Sequence, residues 1–157
     1  MTPVFALQPL PKSIFLAGPT PRDARVPSWR PAALEQLEAM GFEGTVYVPE
    51  SANWQAHDNY TGQVHWEWEA LNLATVVVFW VPRDLQDMPA FTTNVEFGNL
   101  AHSGKLVLGY PNGAPKMSYL DALATRFGVP VYASLTATLE AAVAKARQPF
   151  GSPFPAP

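Results

Sequence analysis

The chain has 157 residues, of which 48% are hydrophobic and 15% charged, enough for one well-filled core and too few for two ordinary domains, so a single domain over 1–157 is expected. The formal net charge of −3 and the lack of any long basic run argue against a protein that grips duplex phosphates by counterion release, so no nucleic-acid polymer is expected as a partner. Cysteine is absent, which excludes disulfides, thiolate zinc sites and cysteine nucleophiles.

The N-terminus carries no basic segment followed by an apolar stretch, and no apolar run approaches the roughly 18 residues needed to cross a bilayer. A cytoplasmic protein with no membrane partner is expected. Residues 1–12 and 148–157 are rich in proline, which lacks an amide donor, and read as irregular arms around a core at about 13–147. Ser13–Ala17 reads as a first strand and residues 18–22, Gly-Pro-Thr-Pro-Arg, as the loop after it. The next segment predicts a helix, with Ser28 as N-cap, Pro31 in the first turn, and Leu34, Leu37 and Met40 at helical spacing before Gly41. Residues 45–48 give a second strand stopped by Pro49, and 51–62 a long polar and aromatic surface loop suited to recognition groups. A helix over 63–73 precedes the run 74–81, Ala-Thr-Val-Val-Val-Phe-Trp-Val, whose lack of polar alternation marks a central parallel strand covered on both faces. Beyond the loop at 82–92 lie a helix carrying Glu96, a strand at 105–109, a helix at 118–127, a short strand at 129–132 and a last helix at about 136–147.

Five strands alternating with helices through right-handed crossovers give most simply an α/β fold, a doubly wound parallel sheet in the flavodoxin-like order 2-1-3-4-5 with helices on both faces. The switch point of that order lies between strands one and three, so the 18–20 loop and the 82–96 segment are expected to face one cleft. Gly18 would let a ligand approach the backbone, with Thr20 and the following helix's amides available to a hydroxyl or phosphate. Neither G-x-G-x-x-G nor G-x-x-x-x-G-K-[ST] occurs, which argues against a NAD dehydrogenase or a P-loop kinase. Thr92-Thr93-Asn94-Val95-Glu96-Phe97-Gly98 places a carboxylate in the expected first helical turn beside that cleft. Two readings compete there: Glu96 as a nucleophile, or Thr93-x-x-Glu96 as a capping box in which Glu96 satisfies a free backbone N–H.

Three segments together, Ile14-Phe15-Leu16-Ala17-Gly18-Pro19, Trp66-Glu67 with Phe79-Trp80-Val81-Pro82, and Thr93-Asn94-Val95-Glu96-Phe97-Gly98 followed by Ser103-Gly104-Lys105, resemble the nucleoside 2-deoxyribosyltransferase family over about 13–110. The resemblance implies a flavodoxin-like fold and cleavage of the N-glycosidic bond of 2′-deoxynucleosides or their monophosphates through a glutamate nucleophile, which falls on Glu96. It aligns Glu67 with the family's acidic base-binding position, leaving Glu69 as the fallback; helical geometry separates the two by about 200°, so they cannot share one cleft. Gly18, Pro19, Thr20, Asn94 and Gly98 become substrate-binding candidates. The family's additional acidic residue before the nucleophile has its nearest counterparts in Asp84 and Asp87, both displaced from the expected spacing, and Asp87 is the one retained. The resemblance further implies a homo-oligomer whose neighbouring subunit completes the site, free nucleobase as a partner, and no cofactor.

Other conspicuous residues have plainer explanations. His57, His65 and His102 lack any metal-ligand spacing, and no metal is expected. Among Trp54, Tyr60, Trp66, Trp68 and Trp80, one is expected to stack on a base while the others fill core or subunit contacts. Asn53, Asp58 and Asn59 suit sugar hydroxyls or simple turns, and Arg22 suits a 5′-phosphate or a solvated loop. Beside the enzyme reading stand a non-catalytic nucleotide-binding or sensing module of the same fold and a structural subunit whose aromatics form an interface.

Overall fold

The computed structural model describes residues 12–50 and 60–149. In chain order the elements are β1 (Ser13–Ala17), α1 (Arg30–Ala39), β2 (Thr45–Tyr47), α2 (Tyr60–Leu73), β3 (Val76–Trp80), α3 (Phe91–Leu100), a 3-10 turn (Ala101–Ser103), β4 (Leu106–Gly109), α4 (Ser118–Phe127), β5 (Val131–Tyr132) and α5 (Leu135–Arg147). The five strands form one sheet in the order β2-β1-β3-β4-β5, and every neighbouring pair is parallel. This is the flavodoxin-like arrangement that the alternation of strands and helices predicts.

Side chains alternate across the pleat, so each central strand feeds two cores. Phe15, Ala17, Val77 and Phe79 pack with α2, α3 and α4, where Phe79 meets Phe97 edge-on at 5.1 Å. Ile14, Leu16, Val76, Val78 and Trp80 pack with α1 and α5. Val76, Val77, Val78 and Phe79 are all 0% exposed. At about 1.5–3 kcal/mol for each such side chain, they anchor the sheet through which the cleft is held. Gly109 has to be glycine, because a Cβ there would lie 2.0 Å from the Thr138 hydroxyl of α5.

Several element boundaries differ from the sequence reading, and the differences move functional residues. Helix α1 has Trp29 as its N-cap, although the Ser28 hydroxyl still accepts from the Arg30 amide at 3.2 Å. Its buried face is Arg30, Ala33 and Leu37, while Leu34 is 39% exposed. An arginine joins the inward stripe because its guanidinium finds four acceptors at the end of β1 and β2. Helix α3 begins at Phe91 behind Ala90, which takes the left-handed conformation at φ 60° with no side-chain cap. Glu96 therefore lies in the second turn. Thr93 sits inside the helix, 3% exposed and turned to the core, so the capping-box reading fails. Helix α2 starts at Tyr60, before the expected Gln63, and its C-terminal carbonyls at Leu71 and Asn72, with that of Ala74, accept from Lys105 Nζ. That gives Lys105 a structural role at a helix terminus. Most of the two proline-rich arms and most of the 51–62 segment lie outside the described residues.

Candidate active site

On α2, Val64, Glu67, Trp68 and Leu71 recur at three- and four-residue spacing and therefore share a face; on α3, Phe91, Thr92, Val95 and Glu96 do the same. The two faces line one groove of about 650 Å³. Glu67 and Glu96 both belong to its wall, whereas Glu69 is exposed and does not. Gln63 Nε2 donates to Glu67 Oε1 at 2.9 Å, one turn away on the same helix.

Glu96 is the electrostatically perturbed member of the pair. Burial, reinforced by the negative charge of Glu67 and opposed by Arg30, pushes its carboxyl from 4.5 up to about 7. A carboxylate that exchanges its proton near neutrality, in a groove with apolar walls, is equipped for covalent or acid–base chemistry. Trp68 is the tryptophan on the groove wall; it is 57% exposed and meets His65 edge-on at 5.3 Å. Trp66 instead packs against Phe15 and Tyr47, each at 6.3 Å, and Trp80 is buried in the sheet. His102 lies against Phe127.

None of Gly18, Pro19 and Thr20, in the turn after β1, is among the residues that line the groove. Gly18 has φ +145°, and a Cβ there would stand 2.1 Å from the Trp80 carbonyl. Its lack of a side chain thus accommodates the neighbouring strand's backbone, a different reason from the ligand approach expected from sequence. The Pro19 carbonyl accepts from Trp29 Nε1 at 3.1 Å, and Thr20 Oγ1 from Arg30 Nη1 at 2.9 Å. Asn94 turns away from the groove and accepts from Arg83 Nη2. Gly98 is exposed, with open space where a Cβ would stand, and does not line the groove. Asp87 holds the loop through its backbone: its N–H donates to Asp84 Oδ1 at 2.9 Å and its carbonyl accepts from the Arg22 N–H at 3.2 Å. Arg22 spreads over the Phe91 ring at 5.9 Å. Asn53, Trp54, His57, Asp58 and Asn59, and the side chain of Tyr60, lie outside the described residues.

Arg30 is a buried cation that the sequence reading missed; it does not line the groove, but its charge acts on Glu96. Among the described residues it is the largest fully buried side chain, 2% exposed. One signal was available: a cation in the first turn of a helix opposes the macrodipole and needs another reason to be there. Residues 11–114 match the family described as nucleoside 2-deoxyribosyltransferase like.

The chain belongs to that family.

Its match to the nucleoside 2-deoxyribosyltransferase-like family runs from just before β1 to the turn after β4. It includes the Gly18 turn, Arg30, Glu67 and Glu96. Helix α4, β5 and α5 lie beyond it. No curated protein matches the chain. Among the described residues, no helix is long and apolar enough to cross a membrane.

Proposed function

We propose that the protein cleaves the N-glycosidic bond of 2′-deoxynucleosides or their monophosphates, using Glu96 as nucleophile and Glu67 to orient and protonate the departing base. The observation that carries this reading is that two carboxylates from two helices, Glu67 and Glu96, line one groove. A Glu96 oxygen attacks C1′ as the C1′–N bond breaks through an oxocarbenium-like transition state, and the base leaves with a proton from Glu67. Water or a second base then attacks C1′ from the vacated side, giving its proton to the Glu67 carboxylate as the C1′–O bond to Glu96 breaks and frees the Glu96 carboxylate.

The Trp68 ring offers a stacking face for the base, and Leu71 and Val95 add apolar lining to the same groove. Gly18, Pro19, Thr20, Asp87, Asn94 and Gly98 stay substrate-binding candidates from the family resemblance alone, since all six lie outside the groove's lining. Trp68, Phe91 and Val95 are 57%, 69% and 63% exposed around the same groove. Such a rim supports a homo-oligomer in which a second subunit closes the site. The whole chain then acts as one catalytic domain without a cofactor.

Incubation with a panel of 2′-deoxynucleosides and their monophosphates, with and without a free acceptor base, tests the reading by chromatography. Release of free base supports it, and a new nucleoside when acceptor is present identifies a transferase. A ligand-dependent rise in melting temperature with no base released supports the non-catalytic nucleotide-binding alternative and defeats the enzyme reading.

A further inference from the structure

Arg83, in the loop beyond β3, is a buried cation without a counter-charge. It is 7% exposed, yet among the described residues its guanidinium makes a single hydrogen bond, from Nη2 to the neutral Asn94 Oδ1. Nε is buried and bonded to nothing, and Nη1, likewise without an acceptor, is not sealed from solvent. The ion pairs among the described residues join Arg25 to Asp23 and Arg30 to Glu50, and Arg83 belongs to neither. The adjacent carboxylate does not serve it: Asp84 Oδ1 accepts from the amides of Gln86 and Asp87, both at 2.9 Å. Buried charges are ordinarily paired, because the interior replaces little of the hydration they lose. Arg30 follows that rule through Glu50, and Arg83 breaks it.

The start of α3 beside this arginine offers donors and no acid. Asp84 and Met88 exchange both backbone hydrogen bonds, at 3.2 and 2.9 Å, so the 84–88 loop closes on itself and returns the chain to α3 next to Arg83. Helix α3 has no side-chain cap and no acidic residue in its first turn, which leaves its first amides free to donate. Asn94, whose Oδ1 is taken by Arg83, keeps its Nδ2 as a further donor. A second cation stands close by: the Arg22 guanidinium lies over the ring of Phe91, the first residue of α3, at 5.9 Å, and the Arg22 amide ties the loop after β1 to the Asp87 carbonyl at 3.2 Å. The sheet order reverses between β1 and β3, and the carboxyl ends of such strands are where doubly wound folds take ligands. We propose that Arg83, Asn94 and the first turn of α3 form a receptor for a phosphate group, free or as a monoester, with Arg22 adding positive charge at its edge. A phosphate brings a charge of about −2 and about three strong acceptor oxygens, which suits two guanidiniums and a set of neutral donors better than a carboxylate does. The receptor is distinct from the groove, whose lining includes neither arginine nor Asn94, and it does not depend on the glycosidic chemistry.

The Arg83 Nε–H resonance of protein labelled with ¹⁵N-arginine reads the site directly, once assigned by its loss in Arg83→Lys. It is followed by NMR at neutral pH and constant ionic strength during titration with inorganic phosphate, with a 2′-deoxynucleoside 5′-monophosphate, and with the matching neutral deoxynucleoside. A saturable shift with phosphate, with the monophosphate or with both, and none with the deoxynucleoside, is expected; the one that saturates at lower concentration identifies the source as free phosphate or nucleotide. Loss of the base would leave the phosphate ester intact, so turnover does not remove the probe. Calorimetry on Arg83→Met should show phosphate affinity weakened roughly tenfold or more, the loss of at least one charge-assisted hydrogen bond. Asn94→Asp sets a carboxylate against the guanidinium in the place of the ligand's charge and should weaken phosphate to a similar degree, which decides the matter if Arg83→Met does not fold. No saturable shift with either phosphate, an equal shift with the neutral deoxynucleoside, or unchanged phosphate affinity in the folded variants would overturn the proposal. Inactivity toward every deoxynucleoside would refute the enzymatic reading without touching this result.

Discussion

Replacing Glu96 with glutamine should make the protein more stable above neutral pH, and the structure gives the size of the gain. In the folded protein the carboxyl ionises at about 7 instead of 4.5. A difference of about 2.5 pH units, at about 1.4 kcal/mol each, corresponds to about 3 kcal/mol. The direction follows from proton linkage. Below the unfolded value both states hold the proton and the full stability is present. Between 4.5 and about 7 the unfolded chain gives up its proton first, so stability falls as pH rises; above that range it settles at the lower level. Glutamine is neutral throughout and removes this slope. Urea unfolding of both proteins from about pH 4 to about pH 8.5, with linear extrapolation to water, measures the difference. Near-equal stability at the acidic end and a gain of up to about 3 kcal/mol for Glu96→Gln at the alkaline end are expected, a large share of the 5–15 kcal/mol typical of a domain. A variant less stable at every pH, by the roughly 0.5–2 kcal/mol of a lost cap, would refute the electrostatic account.

Glu67→Gln should slow base release by roughly 10²-fold or more, the usual cost of a lost general acid, while Glu69→Gln should change it little; the reverse ranking in initial rates would show the wrong carboxylate had been chosen. Light scattering should find an oligomer, and Trp68→Ala or Phe91→Ala should weaken it by roughly tenfold or more; an active wild-type monomer would remove the neighbouring subunit from the mechanism. Gly18→Ala should cost at least about 2 kcal/mol in denaturant unfolding, because the new methyl meets the Trp80 carbonyl at a strained φ of +145°. Wild-type stability in that variant would show that the turn has room to relax.

The sheet was legible because its strands are short, apolar and separated by breakers. The bounds of β1 and α4 match the sequence reading, and the four residues from Val76 to Phe79 are as buried as their unbroken hydrophobicity implies. Helix starts were harder to read. Nothing in Pro89-Ala90-Phe91 advertises that Ala90 will adopt a left-handed conformation and open α3, so the sequence reading puts Glu96 one turn too early and admits a capping box. The convergence of Glu67 and Glu96 depends on how α2 and α3 pack against the sheet, a tertiary fact that helical spacing alone leaves open. Arg30 was hidden for the same reason. A charged residue is expected at the surface, and only the acceptors at the ends of β1 and β2 reveal why this one is buried.

The central claim, that Glu96 forms a covalent bond to C1′, is tested most directly by trapping that bond. A 2′-fluorinated deoxynucleoside destabilises positive charge at C1′ and slows both formation and breakdown of a glycosyl-enzyme. Rapid acid quench, intact-mass analysis and peptide mapping then locate the sugar. The account predicts one fluorodeoxyribosyl group on the peptide containing Glu96, at that residue, and none in Glu96→Ala. An adduct on another residue, or undiminished base release from Glu96→Ala, would contradict it.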